Sequence, residues 1–176
     1  MSDPSPKHAH HHHRKEAATS VPTVVVTVSD TRTLETDTGG GLCVEMLEAA
    51  GHRVIDRSIV PDEPEAILGA LERALGLEGS RAVVLTGGTG VAPRDVTPDT
   101  VEPRLTRIIP GFGELFRMLS YQDIGSAALL SRALAGIAHG RVVFVLPGSR
   151  GAVQLAMQKL IVPELGHLAA EAVKTR

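Results

Sequence analysis

The residues best suited to chemistry are Gly87, Gly88, Thr89 and Gly90, with a single carboxylate, Asp95, a few positions on. They follow the apolar run Val83-Val84-Leu85 and precede a helix start at Thr97-Pro98. Glycines let a backbone come close to an anion and leave N–H groups bare as donors. The following helix N-terminus favours negative charge. A carboxylate at that position could hold a divalent metal beside the anion. The pattern predicts a phosphate-holding loop, although an ordinary strand-to-helix turn has the same glycine content. Two better-known phosphate motifs are excluded. A Walker loop needs a lysine after its second glycine, and none is present. A dinucleotide fingerprint needs a third glycine where this chain has Pro93.

The elements that must position this loop read as alternating strands and helices. Residues 23–28 (TVVVTV), 83–85 and 141–146 are largely apolar runs of strand length, and 54–60 reads as a further strand. Solidly apolar strands separated by helices predict an α/β fold whose mostly parallel sheet is covered on both faces. Leu42, Met46, Leu47 and Ala50 mark one helix, with Gly51 as its stop. Ile67, Leu68, Leu71 and Leu75 mark a second, opened by Pro64. Further helices are expected at 97–109, at 114–119, at 127–138 (AALLSRALAGIA), and from 151 onward with an interruption at Pro163. Thr97 is expected to cap the first of these.

In a parallel sheet, ligands sit beyond the carboxyl ends of the strands. The loops starting at Ser29, Pro61, Thr86 and Pro147 should then share one rim. That rim would gather Ser29, Asp30, Asp62, Gly87, Gly88, Thr89, Gly90, Asp95 and Ser149. Two carboxylates facing a phosphate loop could bracket Mg²⁺ and so aid nucleotidyl transfer, which needs positioning and charge neutralisation more than a nucleophile. Each residue also has a plainer role. Asp30 suits a turn, Asp62 a helix cap, Arg94 a solvated surface and Ser149 the N-cap of the last helix. No GxSxG elbow is present, so no Ser/His/Asp hydrolase pattern appears. His52, His139 and His167 are expected at surface or packing positions.

Composition narrows the function classes. The chain has 176 residues, enough for one domain with a full core. It has no tryptophan, one tyrosine and three phenylalanines, which argues against a base-stacking platform. A net charge of −2 argues against a phosphate-backbone binder. The lone Cys43 permits no internal disulfide, and with no signal-peptide pattern or membrane-length apolar run the expected location is cytoplasmic. Residues 1–20 carry a histidine cluster, read as a terminal tail or tag and set apart from a domain spanning 21–176.

Taken together, the motifs resemble those of the MoaB/Mog family of molybdenum cofactor biosynthesis proteins. The matching pieces are Val28-Ser29-Asp30-Thr31-Arg32, Thr86-Gly87-Gly88-Thr89-Gly90 with Arg94-Asp95-Val96-Thr97, Ser131-Arg132-Ala133 and Leu146-Pro147-Gly148-Ser149. Between them lies Gly111-Phe112-Gly113-Glu114-Leu115-Phe116-Arg117-Met118-Leu119-Ser120, which with Asp123-Ile124-Gly125 points to the B-type branch.

The resemblance implies a three-layer α/β/α molybdopterin-binding fold that assembles as a homotrimer or homohexamer. It implies binding of molybdopterin and, in active members, attack of the pterin's terminal phosphate on the α-phosphate of Mg-ATP. Asp62 and Asp95 match the family's two functional aspartates and would hold Mg²⁺. Gly87, Gly88, Thr89 and Gly90 match its phosphate cradle, and Ser29, Asp30, Pro147, Gly148 and Ser149 the rest of the rim. The expected function is molybdopterin adenylylation. The alternatives are a non-catalytic molybdopterin carrier of the same pathway and, more remotely, a nucleotide hydrolase sharing only the fold. Phe112, Leu115, Phe116 and Met118 are expected either to face a neighbouring subunit or to fill the core.

Overall fold

The computed structural model describes residues 20–174. The histidine-rich tail lies almost wholly outside the described residues. Six strands form one mixed sheet in the order β2-β1-β3-β6-β5-β4. These are β1 (Pro22–Val28), β2 (Arg53–Val60), β3 (Ala82–Thr86), β4 (Arg107–Ile108), β5 (Leu134–Ala138) and β6 (Arg141–Leu146). The four strands from β2 to β6 run parallel, while β5 and β4 are antiparallel additions at one edge. The helices are α1 (Thr38–Ala49), α2 (Pro64–Gly76), α3 (Thr97–Val101), α4 (Pro110–Ile124), α5 (Arg150–Ala156) and α6 (Val162–Glu171).

The period-2 alternation of the strands explains why the runs had to be continuously apolar. Val25, Val84 and Phe144 point to one face, where Leu47, Phe112, Phe116, Met157, Ile161 and Leu165 cover them. Val24, Val26, Val83, Leu85, Val143 and Val145 point to the other, against Ile67, Leu71 and Leu75. Two cores thus sandwich the sheet, giving the expected three layers. Truncating a fully buried member such as Leu47 or Ile67 to alanine would cost about 2–5 kcal/mol.

Three expectations need correction. Residues 127–138 do not form a helix. A short 3-10 segment (Gly125–Leu130) is followed by strand β5, which returns antiparallel along β6. The turn between them is His139-Gly140, both with positive φ (49° and 72°), the combination that closes a two-residue hairpin. Sheet pairing overrides the helix preference of an alanine- and leucine-rich segment. Second, the region up to residue 109 is helical only through Val101 and a 3-10 turn (Glu102–Arg104), and then becomes β4.

Third, Pro163 does not interrupt the last helix. The turn before it, Met157–Ile161, widens to π spacing, and the chain continues as α6. Proline lacks an N–H and crowds the preceding turn, so a widened turn accommodates it. Of the two alternatives for the stripe on α4, Phe112 and Phe116 take the core, whereas Leu115 and Met118 are exposed. No described helix is long and apolar enough to cross a membrane.

Candidate active site

Because β1, β2, β3 and β6 are parallel, their following loops emerge at one edge, as the strand pattern predicted. Their joining is explicit. The Ser29 N–H donates to the Val60 carbonyl at 2.9 Å, linking the ends of β1 and β2. The Gly87 N–H donates to the Leu146 carbonyl at 2.9 Å, linking the ends of β3 and β6.

The glycine loop has a marked polarity. Every carbonyl from Gly88 to Gly90 accepts a hydrogen bond. Gly88 O accepts from the Thr97 N–H (3.1 Å), Thr89 O from the Arg132 N–H (3.0 Å) and Gly90 O from Arg132 Nε (2.8 Å). Among the described residues, no protein acceptor takes the N–H groups of Gly88, Thr89 or Gly90. The loop therefore presents donors and hides acceptors, which is the backbone arrangement of an anion cradle. Gly87 (φ 106°) and Gly88 (φ 62°) lie in the left-handed region. A Cβ on Gly87 would overlap the Val28 carbonyl, and one on Gly88 would overlap Thr97 Oγ1 and Asp62 Oδ1. Glycine is required at both positions by conformation and by space.

A cavity of about 310 Å³ opens in front of this loop. Gly88, Thr89, Gly90, Asp95, Pro147, Gly148 and Ser149 line its polar side. Phe116, Ile124, Ala127, Ala128 and Leu130, from α4 and the 3-10 segment, form an apolar wall opposite. The cavity can thus take a ligand that has an anionic end and a flat or apolar body. Ser149 is the N-cap of α5 and accepts from the Ala152 N–H at 3.4 Å. Asp95 Oδ2 accepts from the Ala92 N–H at 2.9 Å, which holds that carboxylate at the cavity edge.

The remaining rim residues lie to one side. Ser29 and Asp30 line a second hollow together with Arg32, Thr33 and Pro61. The Ser29 hydroxyl is occupied by its own loop, accepting from the N–H groups of Thr31 and Arg32 at 3.3 and 3.2 Å. Asp30 accepts from the Asp62 N–H and from Arg94, whose Nε and Nη2 both reach Asp30 Oδ2 at 2.9 and 2.8 Å. These hydrogen bonds, with Arg94 the strongest influence, hold the Asp30 carboxyl below its ordinary range. Arg94 is therefore neither free nor merely solvated.

Asp62 does not cap a helix, since Glu63 occupies the cap position of α2 without a side-chain cap bond. Its Oδ1 is buried beside Gly88 without a hydrogen-bond partner, and the Thr97 hydroxyl is orphaned in the same way. Burial, and then the charges of Asp30 and Asp95, push the Asp62 carboxyl up. Thr97 is itself the first residue of α3, with Val96 at the cap, so its hydroxyl turns inward instead of capping. Among the described residues, no three His, Cys, Asp or Glu side chains converge as a protein-only metal cage. The pair Asp62 and Asp95 suits Mg²⁺, which commonly takes one or two carboxylates and completes its shell with substrate phosphates. An unsatisfied Asp62 oxygen in a field of two other carboxylates is the observation that fits a cation there.

Three contributors escaped sequence reasoning. Asp37 caps α1 and is buried, accepting from Gly40 N–H (2.9 Å), Thr27 Oγ1 (2.6 Å) and Arg57 Nη2 (3.0 Å). Thr86 Oγ1 joins Thr27 at 3.4 Å, so this network underpins the start of the glycine loop. An aspartate before Thr38-Gly39 was a readable cap signal. Arg132 is legible only as a motif member, because the alanine- and leucine-rich composition of its segment favours helix. The apolar wall carried no local signal, since tertiary packing assembles it.

Residues 24–167 match a family model described as a probable molybdopterin binding domain. The chain is 51% identical over 161 residues to molybdenum cofactor biosynthesis protein B of Halalkalibacterium halodurans, covering 91% of this chain and 95% of that protein. It is 52% identical over 153 residues to the protein of that name in Bacillus subtilis, covering 86% and 90%. A crystal structure of a molybdenum cofactor biosynthesis protein B superposes with a TM-score of 0.85 at 50% identity, covering 88% of this chain and 98% of that one. The tungsten cofactor synthesizing protein MoaB of Pyrococcus furiosus superposes at 0.81 with 36% identity, covering 90% and 100%.

Proposed function

The chain belongs to the molybdenum cofactor biosynthesis family through its molybdopterin-binding domain, and from that premise we propose that it adenylylates molybdopterin in the cytoplasm using Mg-ATP. The observation that carries the proposal is the polarity of the glycine loop: three unpaired N–H groups at residues 88–90 beside a carboxylate, facing an apolar wall. The pterin's terminal phosphate would sit on those N–H groups, and its ring system against Phe116, Ala127 and Ala128. A phosphate oxygen attacks the α-phosphorus of ATP, a new P–O–P linkage forms, the bond to the β-phosphate breaks, and pyrophosphate leaves. Asp62 and Asp95 would hold Mg²⁺, which when bound supplies charge neutralisation at the phosphates. The residues' own part is positioning: the loop fixes the acceptor phosphate, and Ser149 at the start of α5 borders the same anion. Incubation of the protein with molybdopterin and Mg-ATP tests this by release of pyrophosphate and formation of the adenylylated pterin.

A second reading, a non-catalytic molybdopterin carrier, is favoured by one observation. Asp62 Oδ1 is buried behind Gly88 and Asp62 is not among the residues lining the cavity. Pterin binding without ATP-dependent product would select this reading. Either role would suit an oligomer, for which the exposed Leu115, Met118, Leu129 and Leu130 offer an apolar face.

A further inference from the structure

We infer that Arg132 is the positioning residue that sets the polarity of the Gly90 end of the glycine loop, acting on the anion only through the loop's backbone. The inference rests on the anion-cradle reading and names what maintains it. Arg132 Nε donates to the Gly90 carbonyl at 2.8 Å, Nη2 donates to the Asp95 carbonyl, and Nη1 donates to the Asp99 carboxylate at 2.7 Å. Its own N–H takes the Thr89 carbonyl at 3.0 Å. One residue thus pins three carbonyls across the two ends of a loop that has no secondary structure of its own between Thr86 and Thr97.

The consequence is geometric. A peptide plane whose carbonyl is held on one side turns the N–H that shares it toward the other. Pinning Thr89 O and Gly90 O therefore fixes the amides of Gly90 and Val91, while the Thr97 N–H on Gly88 O fixes that of Thr89. Pinning Asp95 O fixes the main chain that carries the Asp95 carboxylate. The guanidinium is suited to this because its fork presents several donors in one plane, whereas an ammonium is a point charge. Asp99 balances its charge, so the arginine steadies the loop without presenting its own cation to the cavity, which it does not line. Arg132 lies two residues before β5, so the β5–β6 hairpin brings it under the loop.

The test uses the full chain labelled with ¹⁵N-glycine and titrated with inorganic phosphate as a monoester mimic. In the parent protein the amides of Gly88 and Gly90 shift on titration. In Arg132→Met and Arg132→Lys the glycines of the core keep their positions, while phosphate affinity read at Gly88 and Gly90 falls at least tenfold. The lysine variant keeps the charge and loses the fork, so its failure to restore affinity identifies geometry as the cause. If either folded variant binds phosphate as the parent does, the inference is overturned and the anion loop stands. If the parent's loop amides do not respond, the anion-cradle reading itself fails. If both variants lose the folded glycine spectrum, Arg132 serves the fold and the inference is likewise overturned.

Discussion

The Asp62 main-chain N–H donates to Asp30 Oδ1 at 3.1 Å, which ties the loop after β2 to the loop after β1. Arg94, from the far end of the glycine loop, grips the other Asp30 oxygen. Asp30 is thereby the junction of three rim segments, and Asp62, the less satisfied carboxylate, rests against it.

Asp62 is a stability cost retained at the site. Its carboxyl titrates above the ordinary 3.8, through burial first and the charges of Asp30 and Asp95 next. An acid with a raised folded pKa binds its proton more tightly when folded. Stability therefore declines as pH rises from the unfolded value through the folded one, and stays lower above it. Asp62→Asn should raise the thermal midpoint at pH 7, with the gain vanishing below about pH 4, while adenylyl transfer is lost. Calorimetric scans at both pH values with a parallel assay check this. A midpoint unchanged or lowered at pH 7 would contradict it.

Asp37 works in the opposite sense. Burial opposes its charge, but hydrogen bonds from Thr27, the Gly40 N–H and Arg57 outweigh that and hold its carboxyl low. Its contribution is present above the unfolded value near 3.8 and is lost as pH falls through the folded one. Asp37→Ala should cost about 1–3 kcal/mol at pH 7 by leaving buried donors unpaired. Urea unfolding at pH 7 and pH 3 should show the penalty shrinking at the lower pH.

The cavity wall gives a variant that separates folding from binding. Ala127 is exposed and lines the cavity opposite the glycine loop. Ala127→Phe should fill the space, keep the unfolding midpoint, and weaken molybdopterin binding at least tenfold in a fluorescence titration. Unchanged affinity would remove the wall from the site.

How far the site was legible follows from where its information lies. The strands β1, β3 and β6 could be read because a strand buried on both faces is apolar nearly throughout, as residues 24–26 and 142–146 are. The rim followed, since parallel strands put their loops together. Residues 127–138 could not be read, because alanine and leucine favour helix and only pairing with β6 makes Leu134–Ala138 a strand. That one misreading hid both the apolar wall and the place of Arg132. Phe116 was ambiguous for a related reason: its helix is apolar on more than one side, and the core and the cavity share its ring.

The apolar residues left outside predict assembly. Leu115, Met118, Tyr121, Ile124, Leu129 and Leu130 are exposed on α4 and the segment after it, Leu129 at 80%. Sedimentation at micromolar concentration should give a species several times 18.5 kDa, and a Met118→Lys, Leu129→Lys double variant should shift it toward the monomer. A monomeric parent protein would contradict this.

Transfer of adenylate to molybdopterin is the most direct test of the account. With verified molybdopterin and Mg-ATP, the protein should release pyrophosphate in step with adenylylated pterin. Asp95→Ala should reduce that turnover by at least ~100-fold, the scale of losing one electrostatic group aimed at reacting phosphates. A silent parent protein that still binds the pterin, or an Asp95→Ala variant as active as the parent, would contradict the claim that this rim turns its ligand over.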